Sequence, residues 1–103
     1  MSVVGKGWED MPTDSEAIDL GNGTKYTRVV WGDNNEWVGI NEWHLTPAGE
    51  LCGGWIPFAG TSYPAGQPTW DVISRAPLTL SPSLLCRSCQ HHGFIREGRW
   101  VPA

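Results

Sequence analysis

Two neighbouring segments in the middle of the chain alternate β-branched, aromatic and polar residues. "KYTRVVW" (25–31) and "EWVGINEWHL" (36–45) have strand composition, and the intervening "GDNN" supplies residues suited to a turn. The pattern predicts a β-hairpin. In the second strand of this hairpin, successive side chains should point to opposite faces of the sheet. One face carries Val38, Ile40, Glu42 and His44, and the other carries Trp37, Gly39, Asn41 and Trp43. Neither face is wholly apolar.

Shorter strand signals follow, separated by residues that break regular structure. "TPAGE" (46–50) predicts a turn, and "AGTSYPAGQPT" (59–69), which is rich in glycine and proline, predicts an irregular loop. "WDVIS" (70–74) predicts a short strand. Because proline cannot donate a hydrogen bond to a β-ladder, Pro82 either places the alternating stretch "PLTLS" (77–81) at the edge of a sheet or ends the strand there.

The two ends of the chain carry different signals. Asp14 or Ser15 could cap a single helical turn, which Gly21 and the following glycine would end, so residues 1–23 are expected to contain at most a short helix in a loosely packed segment. At the other end, "FIREGRWVP" (94–102) predicts a tight hairpin whose turn contains Glu-Gly.

The composition indicates one small, loop-rich domain. A chain of 103 residues would leave neither of two domains enough interior, so residues 1–103 are expected to form one unit. It contains 13 glycines, 8 prolines and 7 tryptophans; the first two break regular structure and the third supplies large buried area. The predicted fold is mostly β, either all-β or a small α+β arrangement, with most tryptophans in the core.

The charge and hydropathy limit the possible partners. A net charge of −4 argues against binding to a phosphate backbone, which relies on Lys and Arg. No apolar run approaches the roughly 18–20 residues that span a bilayer, and the N-terminal sequence lacks the apolar stretch of a signal peptide. These features predict a cytoplasmic protein that binds neither membranes nor nucleic acid.

The segment "LLCRSCQHHGFI" (84–95) concentrates the metal-binding chemistry. Cys86 and Cys89 form a Cys-x-x-Cys pair, and His92 follows three residues later, so one turn could supply three ligands to a zinc ion. Cys52 is the preferred fourth ligand because the glycines after it permit close approach of the backbone. His44 is the alternative fourth ligand. The other histidine, His91, is expected to face solvent.

Other chemistries fit this segment less well. A redox pair of the thioredoxin kind would need a βαβ context, which the sequence lacks. A zinc deaminase needs His-x-Glu, whereas His44 is followed by Leu45 and Thr46. A hydrolytic zinc site needs an open coordination position and a carboxylate base. Nothing in the sequence places any of the candidate carboxylates, Glu50, Asp71 and Glu97, near the metal, so a closed structural site is the simpler hypothesis.

The last third of the chain carries a distinctive set of features: Trp70, the Leu-x-Pro-Ser core of Leu80, Pro82 and Ser83, then Cys89-x-x-His92, Phe94, Ile95 and a closing "GRWVPA". In these features it resembles the family known as domain of unknown function 6527, small proteins of bacteriophages and bacteria. This ending is similar to the form carried by phages of actinobacteria. Many relatives have a Cys-Gly-Cys-Gly cluster upstream, where this chain has only Cys52-Gly53-Gly54.

The resemblance implies a zinc-binding domain but no established activity. Non-enzymatic binding to an unidentified protein, with one or two tryptophans as anchors, is the expected function. In a phage this would act on host machinery. Some bacterial members lie beside ubiquitin-like conjugation components, so a zinc-dependent, peptidase-like partner of such a system is an alternative. An accessory protein of the virion capsid or tail is another.

Overall fold

The computed structural model describes residues 3–4, 17–66 and 68–103, and every regular element in them is a β-strand. The all-β form of the predicted fold is therefore the correct one for this part of the chain. No helix long and apolar enough to cross a bilayer occurs in it. The strands are β1 (Val3–Val4), β2 (Ile18–Gly21), β3 (Thr24–Trp31), β4 (Glu36–Leu45), β5 (Leu51–Pro57), β6 (Asp71–Arg75), β7 (Leu78–Ser81), β8 (Leu84–Leu85), β9 (His92–Arg96) and β10 (Arg99–Pro102).

A five-stranded antiparallel sheet in the order β1-β5-β4-β3-β2 forms the larger layer. Its centre is the predicted hairpin of β3 and β4. In the turn between them, the Asn35 N–H donates to the Gly32 carbonyl at 3.1 Å, and both residues have positive φ angles, 52° and 79°. Glycine and asparagine adopt this conformation more readily than other residues, which explains why the sequence signals the turn so clearly.

The predicted N-terminal helical turn is wrong where the structure describes it. Ile18–Gly21 is an edge strand that pairs with β3, and Leu20 is buried in the core. The capping residues Asp14 and Ser15 lie outside the described residues. Pairing with β3 and burial of Leu20 outweigh the weak local preference for a helix, as tertiary contacts commonly do.

One face of β4 is buried from Val38 to His44. Val38, Ile40, Glu42 and His44 of β4 all point to this face, the grouping that the period of two predicted. Their partners on β5 continue it, because Ile40 lies opposite Ile56 and His44 lies opposite Cys52. The apolar half of this face belongs to the core, whereas its polar half contains the candidate site.

Two small antiparallel sheets supply the other side of the core: β6-β7 and β10-β9-β8. β7 ends at Ser81, directly before Pro82, as predicted. The β9–β10 hairpin also agrees with prediction, and its turn residues Glu97 and Gly98 have φ angles of 50° and 75°. The shared core contains Leu20, Tyr26, Ile40, Ile56, Phe58, Leu78, Leu80, Leu84, Ile95 and Trp100.

The tryptophans divide between the interior and the surface. Trp100 is almost fully buried and lies against Gly93, where a Cβ atom would come within 2.6 Å of the indole ring. Trp31 is 45% exposed at the end of β3. Four other tryptophans are half-buried: Trp37, Trp43, Trp55 and Trp70. Trp8 lies outside the described residues.

Replacing Gly39 with alanine should destabilise the fold. A Cβ at this position would lie 2.6 Å from the Ile56 carbonyl oxygen and 2.5 Å from the Trp55 ring, so the backbone of β5 would have to shift. Overpacking of this kind costs about 1–3 kcal/mol in the free energy of unfolding. Urea denaturation measures the loss. Gly66→Ala is the matched control, because no atom lies within 4 Å of its added Cβ; equal stabilities of the two variants would contradict the packing described here.

Candidate metal centre

Two strands of the large sheet present the first pair of candidate ligands. His44 on β4 and Cys52 on β5 are direct cross-strand partners, and both are buried. Directly opposite residues on antiparallel strands have Cβ atoms about 4.5–5.5 Å apart, which places a ring nitrogen and a thiol within reach of one ion. The next residue, Gly53, permits close approach of the strands, because a Cβ there would meet the Glu42 carbonyl oxygen at 1.8 Å.

The loop of the β8–β9 hairpin presents the second pair. The Cys86 N–H donates to the His91 carbonyl at 2.8 Å, and the Gln90 N–H donates to the Cys86 carbonyl at 2.7 Å, which closes the loop on itself. Gln90 completes the turn with a φ angle of 66°. The loop holds Cys86 fully buried and Cys89 half-buried on the side that faces the large sheet.

The four side chains converge on one point. The Nε2 atom of His44 lies 3.0 Å from the Sγ atom of Cys89, and the Sγ atoms of Cys52 and Cys86 are 3.4 Å apart. All four ligand atoms lie within 4.8 Å of one another. Zn–S and Zn–N bonds of about 2.3 and 2.0–2.1 Å in a tetrahedron would separate ligand atoms by about 3.6–3.8 Å. The cluster therefore has the size and the donors to hold a metal ion.

The structure brings together three of the four residues predicted as the primary ligand set, and His44 takes the place of His92. His92 is exposed, and its Nε2 atom lies 3.0 Å from the hydroxyl oxygen of Ser83. The hairpin register explains this outcome. His92 pairs with the exposed Leu85, so its side chain points outward with that residue, whereas the neighbouring His91 points inward beside Cys86.

Glu42 is a further residue of the candidate site, and no sequence motif indicated it. Its Oε2 atom lies 2.6 Å from the Nδ1 atom of His44, and both side chains are buried. The period of two had placed Glu42 on the face of His44, and this was the available signal. Metal-binding histidines commonly donate their second ring N–H to a carboxylate, which fixes the tautomer and the ring orientation. Glu42 is therefore placed to present the Nε2 atom of His44 to a metal.

Burial and mutual contact shift the pKa values of this pair. Burial raises the pKa of Glu42 above its ordinary value, and the hydrogen bond with His44 opposes this only in part. Burial lowers the pKa of His44, but the hydrogen bond and charge of Glu42 outweigh it and raise the pKa overall. The Oε1 atom of Glu42 is buried without a hydrogen-bond partner among the described residues. A metal bound at Nε2 of His44 would strengthen the Nδ1–H donor to Glu42 and so help to stabilise this buried carboxylate.

The surroundings shift the pKa values of the three thiols in different directions. Burial raises the pKa of Cys52 to about 12, and the neighbouring Cys86 adds to the shift. Burial also raises the pKa of Cys86, but hydrogen bonds from the backbone of Cys89 and Ser88 and from the Cys52 thiol outweigh it, so this pKa is lowered overall. Burial therefore opposes ionisation of all three thiols, and a bound cation would offset this cost.

His91 does not face solvent as predicted. Its ring stacks on His44 at a centroid distance of 3.9 Å and on Trp100 at 4.5 Å. Burial and the nearby charge of His44 lower the pKa of His91 to about 4, so the ring is neutral at pH 7. Its Nε2 atom lies 3.3 Å from the Thr24 hydroxyl oxygen. His91 thus links a candidate ligand to the hydrophobic core.

A second set of close polar groups, Glu42, His44 and His91, is a poorer metal site. The lone pairs of an imidazole lie in the plane of its ring. The rings of His44 and His91 are stacked with an angle of 19° between their planes, so their lone pairs cannot converge on one ion between them. The candidate base residues Glu50, Asp71 and Glu97 are exposed and belong to neither set.

No protein-family model matches the chain, and no curated protein or solved structure does so either. The chemistry of the site therefore rests on its own residues.

His91→Ala should destabilise the protein more than the neighbouring His92→Ala. The first change removes two ring stacks, each worth about 0.5–1.5 kcal/mol beyond buried area, and leaves a gap between His44 and Trp100. We expect a loss of about 1–3 kcal/mol in the free energy of unfolding. The change at the exposed His92 should stay within about 0.5 kcal/mol. Urea denaturation of both variants distinguishes them, and a larger loss for His92→Ala would reverse the inward and outward assignments.

Proposed function

We propose that this protein is a small zinc-binding domain whose metal is structural and is held by His44, Cys52, Cys86 and Cys89. The convergence of three thiols and one imidazole on a buried point carries the proposal. This Cys3His donor set suits zinc better than the hard cations, which prefer oxygen ligands. The Glu42 carboxylate behind His44 supplies the outer contact that such sites commonly have.

The same geometry favours a closed site over a hydrolytic one. Four protein ligands complete a tetrahedron and leave no position for a reacting water. The nearest buried carboxylate, Glu42, contacts the ring nitrogen of His44 that faces away from Cys89, so it is already committed to orienting His44. A peptidase-like role beside a ubiquitin-like conjugation system is therefore less well supported.

Zinc in this position would join distant parts of the chain. His44 and Cys52 belong to the large sheet, whereas Cys86 and Cys89 belong to the loop of a small sheet. Small domains with little core commonly rely on such a cross-link. The metal would thus stabilise the packing of the layers rather than take part in a reaction.

On this stabilised domain, we propose a non-enzymatic role in protein binding. Val30 and Trp31 are 53% and 45% exposed at the end of β3, and Tyr63 contacts the edge of the Trp31 ring at a centroid distance of 5.1 Å. Tryptophan and tyrosine are enriched among the residues that dominate binding energy at interfaces. The resemblance to phage proteins suggests a host protein as the partner, in the cytoplasm, with a virion component as the other possibility.

The protein purified without chelator should contain one equivalent of zinc per chain. Cys89→Ser and His44→Ala should lose the metal and unfold or become much less stable, because apparent zinc binding in zinc-finger peptides is worth about 10–16 kcal/mol. His92→Ala should retain it, since its side chain points away from the cluster. Elemental analysis by mass spectrometry measures the content. If His44→Ala retained zinc and His92→Ala lost it, the assignment of His44 rather than His92 as a ligand would be wrong.

A photoreactive amino acid at position 31 should form one discrete cross-linked species in the cells that naturally express the protein. Position 31 lies in the surface patch formed by Val30, Trp31 and Tyr63, so a partner bound there would cover it. Ala48 is exposed in the turn between β4 and β5, at the opposite end of β4 from Glu36, the partner of Trp31, which makes it the matched control position. Electrophoresis and mass spectrometry identify the products. The same products from both positions, or none from position 31, would contradict protein binding through this patch.

A further inference from the structure

The ring of Trp37 is fixed beside the core at the start of β4. Its Nε1–H donates to the Gly39 carbonyl at 2.8 Å, and the ring packs against Phe58 at a centroid distance of 5.5 Å. A ring held at both points is a rigid support for side chains that stack on it.

Two arginines from different strands lie against this ring. The guanidinium carbon of Arg28 on β3 is 4.6 Å from the ring centroid of Trp37. The guanidinium carbon of Arg75 on β6 is 5.3 Å from the rings of both Trp37 and Phe58. One of its N–H groups donates to the Trp37 carbonyl at 3.1 Å. Stacking therefore orders both cations before any ligand arrives, and a hydrogen bond also holds Arg75.

The described part of the chain gives neither arginine an acidic partner. No carboxylate in it lies within salt-bridge distance of Arg28 or Arg75, although the chain as a whole is acidic. Glu36, the sequence neighbour of Trp37, accepts hydrogen bonds from the N–H and hydroxyl of Ser62. Asp71 lies at the far end of β6, about 13 Å along the strand from Arg75. Placing two like charges beside one ring costs free energy that a bound anion would recover.

We propose that Arg28 and Arg75 form a binding site for a phosphomonoester, the phosphorylated side chain of a peptide. The planar guanidinium offers several N–H donors in a fixed arrangement that matches phosphate oxygens, and clusters of arginine are a common means of recognising phosphorylated peptides. A cleft of about 420 Å³ adjoins Arg75 and is lined by β6 and by Ala59 and Gly60. It provides room for the residues that flank the phosphorylated one.

The charge of the protein favours a single phosphate over a polyanion. Nucleic acid binding increases with the number of phosphates that basic residues neutralise. Here two arginines stand on a chain of net charge −4, which would repel a long polyanion but leaves a local contact with one dianionic group favourable. A phosphorylated peptide fits this distribution better than RNA or DNA.

The test is titration of the zinc-loaded protein with a tripeptide that contains phosphoserine, monitored through the NMR signals of the arginine Nε–H groups. The signals of Arg28 and Arg75 should shift, and the unphosphorylated tripeptide should leave them unchanged. Arg28→Ala and Arg75→Ala should each weaken binding about tenfold or more, since a hydrogen bond to a charged group contributes about 1.5–3 kcal/mol. Arg75→Lys should also weaken it, because lysine lacks the planar donor arrangement.

Arg96→Ala is the matched control. Arg96 is also an exposed arginine on a strand and stacks on Phe94 at 4.0 Å, but no second arginine or lysine among the described residues lies over that ring. Its loss should leave the affinity unchanged. Equal weakening by Arg96→Ala, equal binding of both tripeptides, or tighter binding of a short single-stranded oligonucleotide would overturn the proposal. Zinc content, measured on the same samples, reports separately on the metal centre, because none of the three arginines belongs to it.

Discussion

The contact between the His44–Cys52 pair and the β8–β9 loop is the interaction on which the two layers depend most. The apolar core joins the layers at one end, but the cluster end is polar: it contains a carboxylate, imidazoles and thiols that are costly to bury without partners. A cation is the simplest way to offset that cost, because it stabilises the thiolates and polarises His44 toward Glu42. The polar end of the interface then becomes a cross-link rather than a weak point.

The residues around the candidate ligands would extend such a cross-link into the fold. Glu42 contacts the outer nitrogen of His44, and His91 fills the space between His44 and Trp100. The ring of Trp100 in turn lies over Gly93, where no larger residue would fit. Orientation of the imidazole is thus coupled to packing in the hydrophobic core. Changes at residues that never touch a metal should therefore alter how well it binds, as outer contacts do in other metal sites.

Local pattern predicted much of the fold because the signals involved are short-range. The β3–β4 hairpin, the end of β7 before Pro82 and the turn at Glu97 each depend on a few adjacent residues. The edge strand Ile18–Gly21 was missed because its stability comes from pairing with β3 rather than from its own composition. The cysteines of the site were predicted for similar reasons, since Cys-x-x-Cys spacing and neighbouring glycines are local features.

The choice between the two histidines could not be made from spacing. His92 stands at a favourable distance from Cys89 along the chain, yet strand alternation turns it outward with Leu85. His44 is more than 40 residues away in sequence, and only the register between β4 and β5 places it opposite Cys52. Once the register of a strand is set, the face on which each side chain lies is set as well, because a shift by one residue moves every side chain to the opposite face. Ligand prediction in a small β protein therefore needs the register of the strands as well as the spacing of the ligands.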